Sequence, residues 1–100
     1  LERFEEAKSV LRKTMPVARR VLGESHNLTL TLKKVYAESL CDDPDATLED
    51  LREAVTTLEE TERIARRVLG GAHPVTTAIV HGLKASRRAL AARQTPPGSA

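Results

Sequence analysis

His26, His73, His81 and Cys41 are the side chains of this chain best suited to ligating a metal or to nucleophilic chemistry. Their spacing argues against both. His73 and His81 stand eight residues apart, whereas two histidines that share a metal from one helix stand four apart. Thiolate zinc sites draw on several cysteines, and Cys41 is the single cysteine. No serine sits in a Gly-x-Ser-x-Gly elbow, and no glycine-rich loop precedes a Lys-Ser or Lys-Thr pair. Glu59, Glu60 and Glu62 lie at helical pair spacings from Arg63, Arg66 and Arg67, which predicts surface ion pairs rather than acid–base catalysis. The reading is a protein with no catalytic, cofactor or metal site.

Lys84, Arg87, Arg88 and Arg93 gather near the end of the chain, and no acid occurs between His73 and Ala100. The stretch from Asp42 to Glu62 is the reverse, with nine acids and one base. The overall charge is only +2, so this separation of charge matters more than the total. Nucleic-acid binding through the basic stretch is the weaker alternative, because one Phe and one Tyr cannot supply the stacking platforms such modules use.

The elements that would carry these residues follow from composition and periodicity. One hundred residues, 40% hydrophobic and 30% charged, fit one folded unit. Its wealth of Ala, Leu, Val and Arg favours helix. A lone cysteine makes no internal disulfide, and no apolar run approaches the ~18 residues of a membrane span. An intracellular, cytoplasmic protein without a membrane partner is expected. The chain begins with Leu1 rather than methionine and reads as a segment of something longer.

Ala18-Arg19-Arg20-Val21-Leu22-Gly23 returns 47 residues later as Ala65-Arg66-Arg67-Val68-Leu69-Gly70. In the same register Leu11, His26, Thr29, Leu32 and Ser39 match Leu58, His73, Thr76, Ile79 and Ser86. Repeats at such intervals build stacked helical arrays.

Apolar spacings of three and four then predict four helices, at about 2–22, 28–41, 48–69 and 75–93. The inward set is Phe4, Ala7, Leu11, Ala18 and Leu22 on the first, and Leu28, Leu32, Val35, Tyr36 and Leu40 on the second. On the third it is Leu51, Ala54, Val55, Leu58, Ile64, Ala65 and Val68. Val75, Ile79, Leu83, Ser86 and Leu90 complete it on the fourth.

Gly23 and Gly70-Gly71 suit left-handed residues just past helix ends, and Thr47 with Asp50 forms a capping box with Asp in the Glu place. Pro74 suits a first helical turn. Pro16 falls inside the first helix and predicts a kink or break near Thr14. His26 and His73 stand at matching places beside helix starts, where a structural role in the turn is expected. Residues 94–100, with Thr-Pro-Pro-Gly-Ser, read as a disordered tail.

Leu1-Glu2-Arg3-Phe4-Glu5-Glu6-Ala7 resembles the turn into the second helix of a tetratricopeptide repeat. Leu69-Gly70-Gly71-Ala72-His73-Pro74-Val75-Thr76, and less closely Leu22-Gly23-Glu24-Ser25-His26, resemble the junction of kinesin light chain-like repeats. The resemblance implies an all-α, right-handed solenoid of antiparallel helix pairs. It also implies a protein-binding role, with the shorter helices lining a concave face. The segment that reads Asn-Asn-Leu-Ala in that family is Lys34-Val35-Tyr36-Ala37 here and His81-Gly82-Leu83-Lys84 in the second copy.

Helical spacing aligns Asn27, Thr31, Lys34 and Glu38 in one row, and Ala78, His81, Ala85 and Arg88 in the matching row of the next copy. Asn27, Thr31, Lys34, Glu38, His81 and Arg88 are therefore the candidate partner-binding residues, suited to an acidic or polar peptide or protein segment. In this register the first helix lacks an opening partner, so self-association through its uncovered face is the other expectation.

Overall fold

The computed structural model describes residues 2–94, and they form four α-helices with no strand among them. These are α1 (Glu2–Leu22), α2 (Asn27–Asp42), α3 (Leu48–Val68) and α4 (Pro74–Gln94). Gln94 closes α4, and the rest of the expected tail lies outside the described residues.

Local chemistry sets the helix limits. Gly23 and Gly70 adopt φ of 97° and 92°, a left-handed turn that a residue with Cβ enters only at a cost. His26 and His73 begin the next helices by the same device, each Nδ1 accepting a backbone N–H two residues on, from Leu28 and Val75, at 3.1 Å. Thr47 Oγ1 accepts from the Asp50 N–H and the Asp50 carboxylate accepts from the Thr47 N–H, both at 3.0 Å, so the capping box forms.

The expected break at Pro16 does not occur, and α1 runs through it. Pro16 and its neighbours Arg12 and Lys13 are exposed, so the carbonyl that proline deprives of a partner faces water. Thr14 Oγ1 donates to the Val10 carbonyl at 2.8 Å.

The helices pack in chain order, α1 on α2, α2 on α3 and α3 on α4, and α2 also touches α4. Helix α1 packs on no helix but α2. The body measures 46 × 31 × 17 Å, its thin direction the depth of two packed helices. Leu30, Ala37, Leu40, Ala54, Leu58, Ala65 and Ile79 are fully buried at its centre, with Leu11, Met15, Tyr36 and Leu83 around them.

Four residues expected inside are exposed, namely Leu22, Leu28, Val35 and Val68, and Leu32 is only partly buried. On α2 the buried set is Thr29, Leu30, Lys33, Tyr36, Ala37, Ser39 and Leu40. Packed from three directions, the helix buries an arc wider than a single stripe, turned by a residue from the one periodicity picked out.

Three polar links fasten the stack. Tyr36 Oη donates to Glu53 Oε2 on α3 at 2.7 Å and accepts from Arg12 Nε on α1 at 3.3 Å, so one hydroxyl touches three helices. Lys8 Nζ, buried against the α2–α3 turn, donates to Asp43 Oδ2 at 3.1 Å and pairs with Glu5 at 2.8 Å. Asp43 Oδ1 accepts from the Asp45 N–H at 2.9 Å. Lys33, sunk in α2, reaches Glu24 at 2.8 Å.

The hydrogen bond to Glu5, helped by that to Asp43, raises the Lys8 ammonium above its ordinary 10.5. The Asp45 N–H and then Lys8 hold the Asp43 carboxyl below 3.8, and Lys33 holds Glu24 below 4.5. Burial lifts the Tyr36 phenol above 10.0.

Leu58 of α3 is fully buried, with its methyls against Gly82 of α4, and Leu58→Ala should lower unfolding stability by about 2–5 kcal/mol, read from urea denaturation curves. Linkage sets a second expectation. Asp43 and Glu24 have lowered folded values, so their contribution is complete above 4.5 and is lost as pH falls through those values. Lys8 and Tyr36 have raised folded values, so their contribution is complete below 10.0 and is lost as pH climbs through those values. Denaturation midpoints measured across pH should form a plateau between these limits that falls on both sides; a midpoint that fails to fall as the solution is acidified below pH 3.8 would contradict the Asp43 assignment.

Candidate functional site

The six candidate residues divide between α2 and α4, whose contact brings the two rows into one neighbourhood. Asn27 opens α2, and its carbonyl accepts from Thr31 Oγ1 at 2.8 Å. Lys34 Nζ then meets both carboxylate oxygens of Glu38 at 3.1 Å, one turn further on. The lysine charge is thus answered within its own row, as an i, i+4 pair of modest strength.

Gly82 joins the rows. A Cβ built there would stand 3.7 Å from Glu38 Oε2 and 3.7 Å from a Leu58 methyl, so α4 comes within contact distance of the α2 carboxylate at this point. His81 beside it and Arg88 two turns on are exposed, and neither makes a side-chain hydrogen bond or ion pair among the described residues. Asn27 is exposed as well, while Thr31, Lys34 and Glu38 are half-buried. The face offers two uncommitted ring or guanidinium groups on α4, a closed lysine–glutamate pair on α2, and an amide at one end.

The basic stretch of the last helix is less open than its sequence suggested. Arg87 Nη2 pairs with Glu59 on α3 at 2.9 Å, and Arg93 Nη2 donates to the Ala46 carbonyl in the α2–α3 turn at 2.6 Å. Lys84 and Arg88 alone keep their charges outward without such links among the described residues. Glu62 pairs with Arg66 at 2.7 Å as expected, whereas Glu59 takes a partner from the next helix. A shallow polar cleft of about 320 Å³ marks that seam, lined by Glu59, Glu62, Arg63, Arg66 and Arg87.

No group of three His, Cys, Asp or Glu side chains stands close enough to hold a metal ion among the described residues, and no described helix is long and apolar enough to cross a membrane. Comparison of the chain with protein-family models, with curated proteins and with solved structures finds no match.

Sequence reasoning missed the buried charges. Neither Lys8 nor Lys33 belongs to the inward sets that periodicity picks out, yet the 47-residue register pairs them with Val55 and Val80. A lysine standing where the other copy has a valine was the available sign that its stem would be buried. It also missed a second feature of the surface, an open groove of about 440 Å³ between α1 and α2, lined by Arg3, Glu6, Ala7, Val10, Leu11 and Val35.

Glycine in a helix interior is destabilising relative to alanine, and the contacts awaiting a methyl at position 82 are ordinary ones. Gly82→Ala should therefore raise stability by about 0.5–1 kcal/mol in thermal or urea unfolding. A loss of stability instead would mean that the α2–α4 seam is tighter than these distances allow.

Proposed function

We propose that this chain is a protein–protein interaction module. In this reading it is a right-handed solenoid segment of the tetratricopeptide type, similar to kinesin light chain-like repeats, and it presents the α2–α4 face to a peptide or protein segment. The observation that carries the reading is the seating of α2 against α4 as well as against its chain neighbours. Equivalent helices of the two 47-residue copies then stand side by side, one pair apart, which is how nearest-neighbour stacking builds a continuous surface.

The ligand class follows from the side chains on that face. The asparagines of the resembled family have no counterpart at Lys34-Val35 or His81-Gly82, so recognition falls to His81, Arg88 and the polar ends of α2. Arg88 is an exposed fork of donors with no carboxylate answering it among the described residues, and Lys84 adds to the same charge. An extended segment bearing Asp or Glu fits such a face better than a basic one. Binding here works by display: the buried helix contacts hold the surface rigid, and the partner is captured without chemical change.

Selection from a random-peptide library on the intact chain should yield acid-containing sequences. Their affinity for a Lys34→Glu/Arg88→Glu variant should drop by about tenfold or more, with helix content and denaturation midpoint close to the parent. Peptides that bind both proteins equally would remove the α2–α4 face from the reading.

A further inference from the structure

The two halves of the α2–α4 face differ in charge. In the 47-residue register Lys34 matches His81, Glu38 matches Ala85, Cys41 matches Arg88 and Asp42 matches Ala89. Helix α2 thus carries two acids, Glu38 and, one turn on, the exposed Asp42, whereas α4 carries none and its Lys84 and Arg88 are exposed.

Glu38 stands where the two rows meet. Each of its oxygens lies 3.1 Å from Lys34 Nζ, and its side chain is still 38% exposed. Across from it α4 has Gly82, which puts no side chain between the rows, and a Cβ built there would stand 3.7 Å from Glu38 Oε2. A segment that crosses from one helix to the other at this point passes the carboxylate.

We infer, on the protein-binding reading given above, that Glu38 determines the specificity of this face. It closes the α2 half to acids, so a bound segment sets its acidic side chains over α4 and an uncharged or basic one over α2. Lys34 and Glu38 cancel as a pair, so an incoming carboxylate gains no net attraction at Lys34 and meets a like charge beside it, which costs affinity. Asp42 adds to that repulsion from one turn away. On α4 the matching place holds Ala85, and neither Lys84 nor Arg88 has a carboxylate on its own helix. Removing the Glu38 charge would open Lys34 to acids. Asp42 would remain, but it stands eight residues from Lys34, about 12 Å along the helix axis. That is beyond the ~8 Å screening length at physiological salt.

One random-peptide library selected in parallel on the intact chain, on Glu38→Gln and on Lys34→Met/Glu38→Gln tests this. The pair is an i, i+4 contact of small weight, so helix content and denaturation midpoint should stay close to the parent in both variants. Sequences selected on the parent should confine their acids to one end. Those selected on Glu38→Gln should gain one further acidic position, enriched about tenfold or more over the parent selection. The double variant should lose that position again. Acid content unchanged by Glu38→Gln would overturn the inference and leave the protein-binding reading standing. So would a further acid that persists without Lys34. A library that enriches nothing on any of the three proteins would remove both.

Discussion

Helix α2 is held from three directions, by α1, α3 and α4, and the rest of the molecule is arranged around keeping it there. Leu30, Ala37 and Leu40 are fully removed from water, and no other helix meets every remaining one. In a chain with one Phe and one Tyr, large aromatic side chains cannot bridge wide gaps. Close approach of small and aliphatic residues does that work, with Ala37, Ala54 and Ala65 at zero exposure letting backbones come together.

Polar groups are spent on orientation rather than on bulk stability. The Tyr36 hydroxyl touches α1 and α3 from α2, so it fixes the mutual rotation of three helices that aliphatic contacts alone would leave adjustable. Lys8 with Asp43 ties α1 to the α2–α3 turn, and Arg93 reaches the same turn from the end of α4. A buried ion pair can replace apolar contacts with little net gain in stability, but removing one partner strands the other. Such links therefore favour one arrangement over near neighbours.

The ends of the stack show the same economy from the outside. Arg87 is turned onto Glu59 and Lys84 stands in water, which finishes α4 without a further helix. At α1 the exposed Val10, Val17 and Val21 have no such answer among the described residues.

Four helices, their capping and their limits to within about a residue were legible in the sequence, because these depend on local physics. The glycines at 23 and 70, the paired histidines and the Thr47–Asp50 box each act within a few residues of chain. The candidate row on α2 was legible as a row, but not its internal Lys34–Glu38 closure, nor its contact with Gly82. Which side of α2 would be deepest, that Leu30 rather than Leu28 would be buried, and that Lys8 and Lys33 would go inside were decided only by tertiary structure. A helix with one neighbour buries a stripe that periodicity reveals, whereas a helix with three buries whatever its neighbours cover, and that depends on residues far away in the chain.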